Sequence, residues 1–214
     1  MMPSLNEIMV ELDGMLAKQL SYYGFKKKRK HVFVRRQGDC LQHISILETK
    51  VRGMSQVHIM VCVGFQYEKV DKVISFIQNK KYEAKWGTAN INIDTLMDSK
   101  VSYGFYVSES TELEPIVLDI FHAIEKYAFT FLNSCDTLDK YEKMLSERDE
   151  NVRKSTMTLK RPEWNLVALA IILGHRKIED IFEEYEEDFG KNLPLLQVAK
   201  ERIMKYDIMA EVGV

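Results

Sequence analysis

The hydrophobic residues of this chain change their spacing at Gly24, and this change limits the folds that the chain can adopt. Before Gly24, apolar residues recur every three or four positions, as on one side of an amphipathic helix. Ser4 and Glu7 form a capping box at the start of this segment, and Gly24 ends it. We therefore predict a helix over residues 4–23. Its buried stripe consists of Leu5, Ile8, Met9, Leu12, Leu16 and Leu20.

After Gly24, apolar and polar residues alternate, as in strands that cover a core with one face. Three segments rich in Val, Ile and Phe are separated by Gly38 and Gly53, which predicts an antiparallel meander. The segments are residues 31–36, 40–50 and 56–66. A turn at Gly53 aligns the apolar rows of the second and third segments. The predicted opposite pairs are Ile44 with Val61 and Ile46 with Ile59.

The rest of the chain alternates between the two patterns and then becomes helical. We predict strands over 88–94 and 102–108, and helices over 67–79, 111–132, 136–149, 162–173, 174–189 and 193–210. The segment 148–161 is polar and is the predicted linker. We predict an α+β fold: an antiparallel sheet of about five strands packed by helices, with a C-terminal all-helical appendage. The predicted domains are residues 1–150 and 151–214.

The composition of the chain indicates the class of protein to which it belongs. The 214 residues are 46% hydrophobic and 29% charged, which is typical of a globular chain. Three cysteines without a CxxC pair do not form a disulfide framework. Acidic residues near the N-terminus do not suit a signal peptide, and the longest apolar run is too short to cross a bilayer. We expect a cytoplasmic protein with no membrane partner.

The charges are unevenly distributed. Residues 1–107 hold 16 Lys and Arg against 10 Asp and Glu, whereas residues 108–214 hold 14 against 22. An acidic run at 179–188 indicates the solvent-exposed face of a helix. A basic run after the first helix is the candidate binding site, since it suits phosphate contacts. Its residues are Lys26, Lys27, Lys28, Arg29, Lys30, Arg35 and Arg36. The opposite charges of the two halves also allow self-association.

The basic run has a structural interpretation as well. Cations stabilise the C-terminal end of a helix, and lysines on an edge strand prevent strand-to-strand aggregation. The functional interpretation adds Tyr22, Tyr23 and Phe25 as candidates for base stacking.

A second candidate site follows from the predicted register. His43 would lie opposite Cys62, so that the imidazole could activate the thiol or join it in binding a metal. The alternative is a sheet face on which both residues simply pack. We find no motif for a phosphate loop, a nucleophile elbow or a zinc protease, and we predict no catalytic residue, cofactor or metal.

Gly24, Phe25 and the lysines that follow, with Phe33, Arg35 and a strand through Gln42, resemble a bacterial family catalogued as domain of unknown function 4304. The resemblance covers residues 5–65 best and weakens to about residue 132. It implies a short N-terminal helix, antiparallel strands and a later helix, and it implies no activity.

We expect a binding protein rather than an enzyme. The first hypothesis is a protein-binding module of an accessory or immunity type, which uses the basic run, the helical tail or both. The alternative is a nucleic-acid-binding protein whose basic residues contact phosphates, with an affinity that falls steeply with salt.

Overall fold

The computed structural model describes residues 3–83, 88–97, 103–147, 162–190 and 192–213. The chain forms two compact units, and the first comprises Met1–Phe65 and Asn90–Ser134. The second comprises Gln66–Ala89 and Cys135–Val214, so residues 66–89 belong with the C-terminal helices. The predicted linker at 148–161 lies outside the described residues. Within the described ranges, no helix combines the length and the apolar character needed to span a membrane.

The first unit contains a six-stranded antiparallel sheet, which confirms the predicted α+β class. The strands are β1 (Lys26–Arg29), β2 (Val32–Gln37), β3 (Cys40–Lys50), β4 (Gln56–Tyr67), β5 (Ala89–Asn92) and β6 (Gly104–Ser108). Their spatial order is β1-β2-β3-β4-β5, and β6 pairs with β4 as well. The strand beyond the predicted five is β1, which the lysine-rich run itself forms by pairing with β2.

Helices make up most of the remaining described residues. They are α1 (Leu5–Ser21), α2 (Glu68–Ile77), α3 (Ile93–Leu96), α4 (Leu113–Ala123), α5 (Phe129–Ser134), α6 (Leu138–Ser146), α7 (Pro162–Leu173), α8 (Ile178–Glu184), α9 (Glu186–Gly190), α10 (Leu193–Lys205) and α11 (Ile208–Glu211). A π-helical turn, Ile124–Ala128, joins α4 to α5. Two predicted helices are interrupted: the one over 174–189 at Tyr185, and the one over 193–210 at Tyr206.

The core of the first unit lies between one face of the sheet and helices α1, α4 and α5. The predicted capping box starts α1, and most of its predicted stripe is buried. Helix α1 contacts β1, β6 and α4. Alternate residues of β3 and β4 are buried on this face, among them Ile44, Ile46, Ile59 and Val61. We call it the helix-packed face.

The predicted register of β3 against β4 is displaced along the strands. The amide of Val51 donates to the carbonyl oxygen of Gln56 over 3.1 Å, and the Ser45 hydroxyl bonds to the Cys62 thiol. Each residue of β3 therefore pairs two positions further along β4 than predicted. Because the displacement is an even number of residues, the same side chains stay on the helix-packed face.

Helix α2 is central to the second unit, where it contacts α7, α10 and α11. Helix α7 in turn packs against α6 and α8, and its residues from Glu163 to Ala170 are all buried. Exposed carboxylates of the acidic run cover the outside of α8 and α9, while Ile181 and Tyr185 point inward, as predicted.

Two glycines should respond oppositely to alanine. A Cβ on Gly104 would lie 2.5 Å from Nε2 of His58 and 2.7 Å from the carbonyl oxygen of Ile59, whereas a Cβ on Gly14 meets nothing within 4 Å. We expect Gly104→Ala to destabilise the protein by about 1–3 kcal/mol. Gly14→Ala, in the interior of α1, should stabilise it by about 0.5–1 kcal/mol. Urea unfolding of both variants tests this, and equal shifts would contradict it.

Candidate functional site

The predicted basic run forms the edge of the sheet. Strand β1 is outermost in the strand order, and its four residues are exposed. Lys26 pairs with Val34, Lys27 with Phe33 and Arg29 with Val32, with a bulge at Lys28. Because side chains alternate along a strand, this pairing sends neighbouring cations to opposite faces of the sheet.

Lys27 points to the helix-packed face, where it neutralises a carboxylate inside the fold. Its Nζ lies 2.9 Å from Oδ2 of Asp13, a fully buried residue of α1. Burial opposes ionisation of Asp13, but hydrogen bonds from Lys27 and from His31 outweigh it and hold the pKa of the carboxyl below its usual range. Asp13 is a residue that sequence periodicity did not single out.

The β1–β2 turn is fastened to the same carboxylate. His31 has a φ of 60°, a conformation that non-glycine residues rarely adopt. Its amide donates to Oδ2 of Asp13 over 3.0 Å, and its Nδ1 lies 2.7 Å from Oδ1 of Asp13. Its Nε2 lies 3.0 Å from Oε2 of Glu48, which also accepts from Lys30 at 3.1 Å. The ring of His31 therefore lies between the carboxylates of Asp13 and Glu48.

Arg35 also makes its contacts within the fold. Its guanidinium lies 4.7 Å from the centroid of the Phe25 ring and 5.3 Å from that of Phe129. It donates to Oε1 of Gln42 over 2.6 Å and to the Tyr23 carbonyl oxygen over 3.2 Å. Three of the seven predicted binding residues, Lys27, Lys30 and Arg35, thus make contacts within the first unit. Of the three candidates for stacking, Tyr23 and Phe25 pack in the same aromatic cluster, whereas Tyr22 is exposed at the end of α1.

The other four cations lie on or beside the opposite face. Lys26, Lys28, Arg29 and Arg36 are exposed, and the described residues include no ion-pair partner for any of them. We call these four residues the basic edge. Cross-strand pairing places Lys26, Arg29 and Arg36 on the same face as Val34 and His43. Lys28 is the exposed residue of the bulge between Lys27 and Arg29, at the same edge of the sheet.

This second face of the sheet carries no acidic residue at the described strand positions of the first unit. Most of its side chains are half-buried or exposed, the exceptions being Cys62 and Gly64. Its positions are Lys26, Arg29, Val32, Val34, Arg36, Leu41, His43, Ser45, Leu47, Thr49, Gln56, His58, Met60, Cys62, Gly64, Asn90, Asn92, Gly104, Tyr106 and Ser108. In a chain with 32 Asp and Glu, the described strand positions of this face carry cations and no opposing charge.

An aromatic pair lies on the second face, on the far side from the basic edge. Tyr106 is 64% exposed and pairs with His58 across β4 and β6, with ring centroids 4.9 Å apart. The alternation of Phe105, Tyr106 and Val107 in the sequence could have indicated that Tyr106 points away from the core.

His43 and Cys62 do not form the predicted pair. Burial raises the pKa of the Cys62 thiol to about 11, and its side-chain hydrogen bond is with Ser45. The ring of His43 is hydrogen-bonded to Oδ1 of Asn90 instead. Burial lowers the pKa of His43, and the charges of Arg29 and Lys28 lower it further against the opposing bond to Asn90. Neutral pH therefore leaves a protonated thiol and a neutral imidazole, which is not an activated nucleophile.

No His, Cys, Asp or Glu cluster of metal-binding size occurs in the part of the chain that the structure describes. Compared with known proteins, the chain matches no family model, no curated protein and no solved structure. The resemblance to domain of unknown function 4304 stays a prediction.

Two adjacent lysines should differ in their effect on stability. Lys27→Gln removes a hydrogen bond to a buried carboxylate and should cost about 1–2 kcal/mol. Lys28→Gln, which breaks no ion pair among the described residues, should change the free energy of unfolding by less than about 0.5 kcal/mol. Urea unfolding at neutral pH distinguishes the two. Equal effects would mean that Lys27 does not stabilise Asp13.

Acid should weaken the same network. The pKa values of Asp13 and Glu48 are depressed in the fold, so their contribution is complete above the unfolded-state value near 4. It is lost as pH falls through the folded-state values. Asp13→Asn should therefore be less stable than the wild type at neutral pH and lose less stability on acidification. If the free energy of unfolding fell equally in both proteins as the pH is lowered, this prediction would be wrong.

The charges on β1 should be measurable at His43. Because Lys28 and Arg29 lower the pKa of His43, the double variant Lys28→Gln/Arg29→Gln should raise it in an NMR titration. Arg36→Gln removes a charge from the same face but leaves in place Arg29 and Lys28, the two charges that lower the pKa of His43, so it serves as the control. An unchanged pKa in the double variant would contradict the placement of β1.

Proposed function

We propose that this protein is a non-enzymatic binding protein that holds a nucleic acid on the second face of its sheet. One observation carries the proposal: the basic edge lies beside an extended face whose described strand positions include no Asp or Glu. Charges on a fold are usually interspersed, and a surface of one sign concentrates ligands of the opposite sign.

The basic edge suits a polyanion because its charges are not used within the described structure. Lys27 and Lys30 are neutralised by Asp13 and Glu48, but the four cations of the basic edge have no such partner. Bringing phosphates to these side chains breaks no ion pair among the described residues, and it releases the counterions condensed on the nucleic acid. Arginine adds the possibility of bidentate contacts with phosphate oxygens.

The alternation of side chains along β1 also explains which basic residues are available to contact the nucleic acid. The bulge at Lys28 breaks the strict alternation, so Lys26 and Arg29 point to one face while Lys27 points to the other. The binding role therefore falls to Lys26, Lys28, Arg29 and Arg36. The remaining members of the predicted run, Lys27, Lys30 and Arg35, support the fold.

The test is fluorescence anisotropy of labelled oligonucleotides across a salt series, with all four residues of the basic edge changed to glutamine. Each phosphate contact on a single strand contributes about 0.7 to the slope of log K against log salt. We expect the wild type to bind with a steep slope, and the quadruple variant to lose about three units of it. The control changes four exposed lysines that lie away from the basic edge to glutamine: Lys18, Lys126, Lys143 and Lys177.

The two quadruple variants carry the same net charge, so any difference between them reports the location of the charges. Weak binding by both would indicate attraction to overall charge rather than a site. No binding by the wild type at low salt would contradict the proposal.

A protein partner is the second candidate, and exposed apolar side chains favour it. Leu47 and Tyr106 lie on the second face, and Met54 lies in the β3–β4 turn; all three are exposed. Tyrosine and arginine around apolar residues are typical of interface hot spots. An acidic partner protein would co-purify with the wild type after nuclease treatment and would be lost with the basic-edge variant.

A further inference from the structure

We infer that the nucleic acid is single-stranded and that one of its bases stacks on Tyr106. This inference rests on the proposed function, and it assigns a role in base contact to a residue outside the basic run. The face thereby acquires two kinds of contact, phosphates at β1 and a base at β6.

Tyr106 presents an aromatic ring to solvent from the middle of a strand. Its neighbours in β6, Phe105 and Val107, are half-buried and buried, respectively, whereas Tyr106 is 64% exposed. Burial does not account for a large aromatic ring in this position. Stacking platforms in single-strand-binding proteins consist of such rings on a sheet, because every base has a π-face to offer.

The ring is supported from one side, which leaves its exposed surface for a ligand. His58 lies opposite Tyr106, with ring centroids 4.9 Å apart and planes tilted by 38°. His58 is itself packed over Gly104, where any Cβ would lie 2.5 Å from its Nε2. The absence of a side chain at Gly104 thus gives His58 its position, and His58 in turn supports Tyr106. A supported ring loses less freedom on binding than a mobile one.

The spacing between the two kinds of contact suits an extended strand. From β6 the sheet continues through β4, β3 and β2 to β1, which is four strand spacings. At about 4.8 Å each, these span roughly 19 Å across the sheet. Tyr106 lies in line with Thr49 of β3 and Arg29 in line with Ser45, so the two contacts are offset by a further ~13 Å along the strands. Between them the face carries neutral groups such as Ser45, Met60 and His43, whose pKa is lowered. A single strand can cross this surface without meeting a carboxylate at any described strand position of the first unit.

A duplex does not use these features. Its bases are stacked on one another, so they are not available to an aromatic side chain unless a nucleotide is extruded. A single strand offers unstacked bases along with its phosphates. The combination of an exposed ring and a separate row of cations therefore favours the single-stranded ligand.

The test compares three labelled probes of about 12 nucleotides, within the range that small domains cover. They are an oligothymidylate, a strand of abasic residues with the same phosphates, and a duplex. The variants are Tyr106→Ala, Tyr106→Phe and, as the control, Tyr127→Ala, which removes a tyrosine from the π-helical turn between α4 and α5.

We expect Tyr106→Ala to weaken oligothymidylate binding about 5- to 150-fold, as the loss of one stacked base does. It should leave the affinity for the abasic strand unchanged. Tyr106→Phe should retain the affinity of the wild type because phenylalanine also stacks, and Tyr127→Ala should have no effect.

Two results would overturn the inference while leaving the proposed function in place. In one, the wild type binds the abasic strand or the duplex as tightly as the oligothymidylate, and the basic-edge variant loses all three. In the other, Tyr106→Ala binds the oligothymidylate no more weakly than Tyr127→Ala does. If the wild type binds no probe at low salt, the proposed function and the inference both fail.

Discussion

The buried carboxylate of Asp13 is the constraint on which the arrangement of the first unit depends. A charge inside a fold must be satisfied by hydrogen bonds or by an opposite charge, because its desolvation is otherwise prohibitive. Asp13 receives the ammonium of Lys27 together with the amide and the ring of His31. These bonds fasten the β1–β2 turn to α1. They also stabilise His31 in a conformation with positive φ, which glycine adopts freely but other residues adopt only at a cost.

One consequence is that the basic residues have different roles on the two faces of the sheet. Since Lys27 must reach Asp13, β1 is oriented with Lys27 toward the helices and with Lys26 and Arg29 away from them. Arg35 and Arg36 divide in the same way across β2, and Arg35 stacks on Phe25 and Phe129. The basic run is therefore partly structural and partly a candidate binding surface. Its two interpretations, edge protection and phosphate contact, apply to different residues of the same run.

Most elements could be predicted from the sequence because they follow from local patterns. The capping box and apolar stripe predict α1, and alternation predicts β2, β3 and β4 near their observed bounds. Strand β1 was not predicted, because four consecutive cations have little intrinsic preference for a strand. Pairing with β2 provides their hydrogen bonds instead. The predicted register of β3 against β4 differs from the observed one because the hydrophobic pattern specifies which face is buried but not which residues lie opposite each other.

The sequence by itself determined the class of fold, the helical start, the buried face of each long strand and the cations of the basic run. Periodicity and capping are properties of neighbouring residues, so they can be read along the chain. Only the tertiary structure decided which of those cations are neutralised, that Cys62 bonds to Ser45 rather than to His43, and that Tyr106 lies on the face with the basic edge. These relations join residues distant in sequence, and the pairing of strands and the packing of α1 establish them.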